Sequence, residues 1–186
     1  MNILLMMLRA PRPSRQNDMR AVAKPHWIRK GYDGLTFFGN IITHTDEEAE
    51  VFNQHFGSFK NHEMIHLYQA RSTHDSWLCF YGRYFAFWLG ITVHLAWLRI
   101  TTCLARLVSS KPHPRPPFRN AGYLLNPFEM EAYQHMHDLH YLDDKPEGAT
   151  GWRQYAQMTI DERIAFAHSR TRDFKNRLSG WQNADK

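Results

Sequence analysis

A mainly helical fold with a short β element, of the α+β class, is what three stretches of this sequence predict. From Trp77 to Val108 there is no acidic residue and no proline, and only Arg83, Arg99 and Arg106 are charged; that composition belongs to one long hydrophobic helix. Asn126-Pro127 pairs a capping residue with a proline at the first helical position, opening a helix expected to reach about Leu142. Leu35-Thr36-Phe37-Phe38-Gly39-Asn40-Ile41-Ile42-Thr43 is rich in β-branched and aromatic residues and reads as a strand.

Composition bounds the rest. The chain has 186 residues and 43% hydrophobic content, enough for one substantial core. Its net charge of +5 is concentrated at the start, where residues 1–30 carry seven Lys or Arg against Asp18 alone, so the remainder is nearly neutral. Nucleic-acid binding by the folded body is therefore not expected, although the basic arm could touch RNA, DNA or anionic lipid. Cys79 and Cys103 both fall in the apolar stretch and imply no disulfide framework. Met1 to Leu8 is apolar but is broken by Arg9, Pro11 and Pro13, a poor secretory signal. A cytoplasmic protein, or one on the inner face of a membrane, fits best.

Three parts are expected along the chain: a flexible basic arm over 1–30, a core over 31–142 that includes the hydrophobic helix 77–108, and a helical extension over 143–186. Gly31 and Gly34 flank a turn before the strand. Thr45-Asp46-Glu47-Glu48 has the cap and acids of a short helix ending by Gly57. A second helix is expected from about Phe59 to Ser72, followed by a turn to Ser76. The segment 77–108 is apolar nearly all round, so it is either buried or in contact with lipid. Lys111-Pro112-His113-Pro114-Arg115-Pro116-Pro117 breaks it in a polyproline-like stretch. After Asp143-Asp144-Lys145-Pro146, a last helix is expected from about Asp161 to Leu178.

The second helix carries the chemistry. Asn61-His62-Glu63-Met64-Ile65-His66 contains His-Glu-x-x-His, which on a helix sets two imidazoles one turn apart on one face, with Glu63 beside them placed to act on a water. Tetrahedral zinc needs a third protein ligand and an open position. Asn126-Pro127-Phe128-Glu129-Met130-Glu131-Ala132-Tyr133 offers two candidates, Glu129 and Glu131. They stand about 200 degrees apart on a helix, so only one can face the metal. The expected architecture is thus a small helical core of two metal-bearing helices and the long hydrophobic one. Tyr133 and His137, with His135 and Tyr123 beside them in sequence, are candidates for stabilising an oxyanion or supporting a ligand; for His135, His137 and His140 the simpler reading is a polar helix face.

Glu129-Met130-Glu131-Ala132 is similar to the Glu-x-x-Ala-Asp segment of gluzincin-type metalloproteases. The pattern Asn-His-Glu-x-Ile-His-x-x-Gln, then an aromatic hydrophobic helix, then Phe-Glu-x-Glu-Ala-Tyr, resembles a family of small bacterial zincin-like proteins. The likeness runs from about residue 35 to 142. It implies a zinc site of His62, His66 and Glu129, with Glu131 as the alternative ligand. Where the proteases carry an Asp that supports a zinc-bound histidine, this chain has Tyr133. The expectation is a zinc-dependent metallohydrolase, a peptidase acting on peptide or protein, with Glu63 as general base and membrane contact through 77–108. The strand before the site could hold an extended substrate by β-addition. The alternative is a catalytically inactive zinc-binding or membrane-associated scaffold. A third reading, nucleic-acid association, rests on the arm alone.

Overall fold

The computed structural model describes residues 20–28, 34–55, 57–108 and 120–169. Most of the expected arm, the proline-rich stretch 111–117 and the end of the last expected helix lie outside these residues. The described elements are a three-stranded sheet, a 3-10 turn at Pro25–Trp27 and seven α-helices. The strands are β1 (Ala21–Ala23), β2 (Leu35–Phe37) and β3 (Asn40–Thr43). The helices are α1 (Asp46–Gln54), α2 (Ser58–Ser72), α3 (Trp77–Val108), α4 (Ala121–Leu124), α5 (Pro127–His135), α6 (Trp152–Gln157) and α7 (Ile160–Ser169). An α+β fold, mainly helical, is what the sequence leads one to expect.

The chain divides into two units, Met1–Gly82 with Glu131–Gly151, and Arg83–Met130 with Trp152–Lys186. The division falls inside α3 and inside α5.

In the first unit β3 is the central strand, parallel to β1 and antiparallel to β2. Two corrections to the sequence reading arise here. Residues 35–43 are a hairpin rather than one strand, because Phe38 and Gly39 both take positive φ, 48° and 83°, and reverse the chain in two residues. Part of the basic arm is also folded, since Ala21–Ala23 pairs with Ile41–Thr43.

Both outer strands are partly covered. The Asn53 side chain accepts from Ala21 N–H at 2.9 Å and donates to the Ala21 carbonyl at 3.2 Å. The Tyr81 hydroxyl donates to the Thr36 carbonyl and accepts from Phe38 N–H, both at 3.1 Å. Phe37 and Asn40 pair across the turn, so the neighbouring Thr36 turns its backbone groups to the outer edge. That carbonyl is already engaged, which counts against a peptide adding to β2 there.

Thr45 caps α1 with a full capping box through Glu48, an arrangement worth about 1 kcal/mol. Helix α2 is buried along most of its length, from Lys60 to Ala70. The turn to α3 is made by His74 and Asp75, both left-handed, with φ of 66° and 51°. Asn126 caps α5, its Oδ1 accepting from Phe128 N–H at 3.2 Å.

α5 ends seven residues before the expected Leu142. The reason is tertiary. Asn61, buried in α2, donates from Nδ2 to the carbonyls of His135, Met136 and Asp138 at 3.1, 3.1 and 2.9 Å. A continuing helix would need those acceptors for its own next turn.

In the second unit α3 packs one face on aromatic residues of the shorter helices. Phe87 meets Phe128 and Trp152 with ring centroids 6.0 and 6.3 Å apart. Gly122 lies so close to Trp88 that an added Cβ would come within 2.9 Å of its ring. Arg163 of α7 is buried and donates to the Leu125 and Ala156 carbonyls, each at 3.2 Å. The expected single helix 161–178 corresponds to α7, and α6 before it was not expected.

Candidate metal centre

His62 and His66 sit in the buried middle of α2, one turn apart, with Nε2 atoms 3.2 Å from each other. Their rings meet edge to face at 4.8 Å. Glu129 stands in the first turn of α5, one turn before Tyr133, whose ring lies 4.6 Å from that of His62. One ligand atom from each of His62, His66 and Glu129 lies within 4.8 Å of the others, and all three residues are buried. Two imidazole nitrogens and one carboxylate oxygen are the protein donors of a common catalytic zinc site, which keeps its fourth position open. The donor set therefore fits zinc. It is the one such group of three or more among the described residues.

Each member is held by neighbours that do different work. The Tyr84 hydroxyl of α3 donates to Glu129 Oε1 at 2.8 Å, while the Tyr84 carbonyl accepts from the Asn126 side chain at 3.0 Å. One tyrosine thus orients the carboxylate and ties down the start of its helix. His66 Nδ1 lies 2.8 Å from Gln69 Oε1. Gln69 Nε2 donates at 2.8 Å to Glu131 Oε2. Glu63 is buried, and its Oε2 accepts from the Thr36 hydroxyl of β2.

Glu131 is occupied elsewhere. Besides Gln69, its Oε1 accepts from the Tyr141 hydroxyl and from Gly151 N–H, each at 2.7 Å. These donors engage both of its oxygens, and it is not in the group formed by His62, His66 and Glu129. His137 lies exposed in the turn after α5 and is not among the buried group. His135 stacks on Tyr141, with ring centroids 3.7 Å apart, and His140 is exposed beside Asp143 at 2.8 Å. The three histidines do not share a helix face, because α5 ends at His135. Tyr123 lies half-buried in α4.

Thr36, Tyr84, Tyr141 and Gly151 escaped the sequence reading. Tyr84 left a faint trace, since a tyrosine inside an apolar helix carries a hydroxyl that needs a partner when buried. The other three left none, because their contacts depend on how the chain folds back.

Comparison with protein-family models, with curated proteins and with solved structures finds no match to this chain.

Proposed function

We propose that this chain is a zinc-dependent metallohydrolase, most readily a peptidase, with His62, His66 and Glu129 as ligands and Glu63 as general base. The observation that carries this reading is the buried His62, His66 and Glu129 group, with Glu63 next to His62 on the same helix. The reading also draws on the resemblance of the sequence pattern around His62, Glu63, His66 and Glu129 to that of zincin-like proteins of the gluzincin type. A zinc ion bound there supplies a Lewis acid for the scissile carbonyl and an acidified water. Glu63 takes the proton of the attacking water and passes it to the leaving amine. The Thr36 hydroxyl fixes one oxygen of that carboxylate. Tyr84 orients the Glu129 carboxylate, and Tyr133 packs against the ring of His62.

α3 is long and apolar enough to cross a membrane. We place the protein at a membrane surface through the exposed face of that helix, on its cytoplasmic side. Only 11% of the most apolar 18-residue window is buried, whereas the core helix of a soluble protein is covered by its neighbours.

A second reading, a zinc-binding scaffold without turnover, is favoured by one observation. His62, Glu63, His66 and Glu129 are 3–6% exposed, which leaves a peptide little access. One experiment separates the two. Protein purified without chelator should carry about one zinc per chain, and Glu63→Gln should keep that zinc while losing hydrolysis of a mixed peptide library. Bound zinc with no cleavage by the wild type selects the scaffold. Absence of metal from the wild type ends both readings.

A further inference from the structure

The buried contacts behind His66 have a direction. Glu131 is 0% exposed. Its Oε1 receives the Tyr141 hydroxyl and the Gly151 N–H, and its Oε2 faces Gln69 Nε2. A carboxylate in that setting offers only acceptors, so the amide of Gln69 must turn its NH2 toward Glu131 and its oxygen toward His66. An oxygen 2.8 Å from His66 Nδ1 accepts a hydrogen bond only if that nitrogen carries the proton. The proton on Nδ1 leaves the lone pair on Nε2, the atom that points to His62.

We infer that Glu131 and Gln69 form a polar relay that fixes the His66 tautomer before any metal binds, with Glu131 acting as a positioning residue twice removed from the ion. The inference rests on the metal-site reading for its purpose, but the tautomer is a property of the metal-free chain. It also gives Glu131 a role distinct from ligation. A histidine bound to zinc works best when its other nitrogen donates to a fixed acceptor. Here a neutral amide is that acceptor, and the carboxylate behind it sets which way the amide faces.

The relay makes an unusual forecast for a change of one atom. In Glu131→Gln the Gly151 backbone N–H still requires an oxygen at the Oε1 position, because a backbone donor cannot reverse. The new NH2 must then face Gln69, whose amide turns over and presents its own NH2 to His66 Nδ1. The His66 proton moves to Nε2, and the ligand lone pair is lost. Tyr141→Phe, by contrast, removes one donor but leaves Gly151 to set the direction, so the tautomer stays.

The test is nitrogen-15 histidine NMR on metal-free protein at neutral pH, with the His66 signals assigned by comparison with a His66→Ala spectrum. The expected result is protonated Nδ1 in the wild type and in Tyr141→Phe, protonated Nε2 in Glu131→Gln, and no fixed tautomer in Gln69→Leu. Zinc affinity should fall by about 10- to 100-fold in Glu131→Gln and Gln69→Leu. Protonated Nε2 in the wild type, or an unchanged tautomer in a folded Glu131→Gln, overturns the relay. If Glu131→Gln fails to fold, the wild-type spectrum and Gln69→Leu decide the matter. A wild type with the expected tautomer that binds no zinc overturns the metal reading and leaves the relay standing.

Discussion

Asn61 and Lys60, neighbours at the start of α2, show opposite uses of burial. Asn61 is 0% exposed and gives its amide to three carbonyls at the end of α5. Its removal takes a donor from each of those carbonyls, although those of His135 and Asp138 also accept from the Asp138 and Tyr141 N–H groups. Asn61→Ala should cost about 1–3 kcal/mol, seen as a lower urea midpoint. Zinc affinity should fall with it, because the same clamp holds α5 against the histidine helix. Lys60 is 3% exposed, and burial pushes its ammonium below the ordinary lysine value. The folded chain therefore holds that proton less tightly than the unfolded one. Between the two pKa values the unfolded state binds more protons, so stability rises with pH through that alkaline window. Lys60→Met should raise the urea midpoint at neutral pH by the equivalent of about 1 kcal/mol, and should lose this rise with pH. At this scale the sequence was legible where chemistry is local. His62, Glu63 and His66 lie within five residues of one helix, and that spacing alone brings them together. Thr36, Tyr141 and Gly151 reach the site from distant positions by hydrogen bonds that no local pattern encodes.

The elements followed their sequence signals where nothing external competed. Trp77–Val108 is one helix at the expected bounds, since thirty-two residues without proline have no reason to stop. The capping residues Thr45 and Asn126 start α1 and α5 as read. The strand and the later helix departed from expectation for physical reasons. Gly39 lets the chain reverse where alternation alone suggested continuity, and Asn61 draws off the carbonyls that would have prolonged α5. Arg163 is a further case in which a helix end is settled from afar. It lies 5% exposed, with its guanidinium on the carbonyls of Leu125, which follows α4, and Ala156, near the end of α6. Those carbonyls stand at the negative ends of helices, where a cation is favoured. Its pKa is lowered by the same burial, so the contact spends some desolvation energy to hold two helix ends. Arg163→Met should destabilise by about 1–3 kcal/mol, measured by thermal melting. A variant as stable as the wild type would mean that the desolvation cost cancels the bonds.

For the molecule as a whole, the dominant feature is the outer face of α3. At 100° per residue, Phe85, Leu89, Val93, Trp97, Ile100 and Leu104 fall within one sector of about 120°, and all six are exposed. Arg83, Arg99 and Arg106 lie outside it. The thirty-two residues of the helix extend over roughly 48 Å, so the stripe is long as well as uncharged. A face of this kind can lie in the plane of a bilayer with its arginines reaching the headgroups. Purified protein should therefore float with vesicles of phosphatidylcholine and phosphatidylglycerol in a density gradient, and Val93→Lys with Ile100→Lys should stay at the bottom while keeping the wild-type circular dichroism. Flotation by the double variant would assign the contact to another surface. The sequence disclosed the length and apolarity of this helix, but not which side its neighbours would cover.

The covering of β1 by Asn53 and of β2 by Tyr81 bears on how such a molecule fails when crowded. A growing fibre recruits copies along bare strand edges, and here a side chain already sits on each edge of the sheet. Clumping at high concentration should then run through greasy helix surfaces, in aggregates that a mild detergent disperses and that bind no amyloid dye.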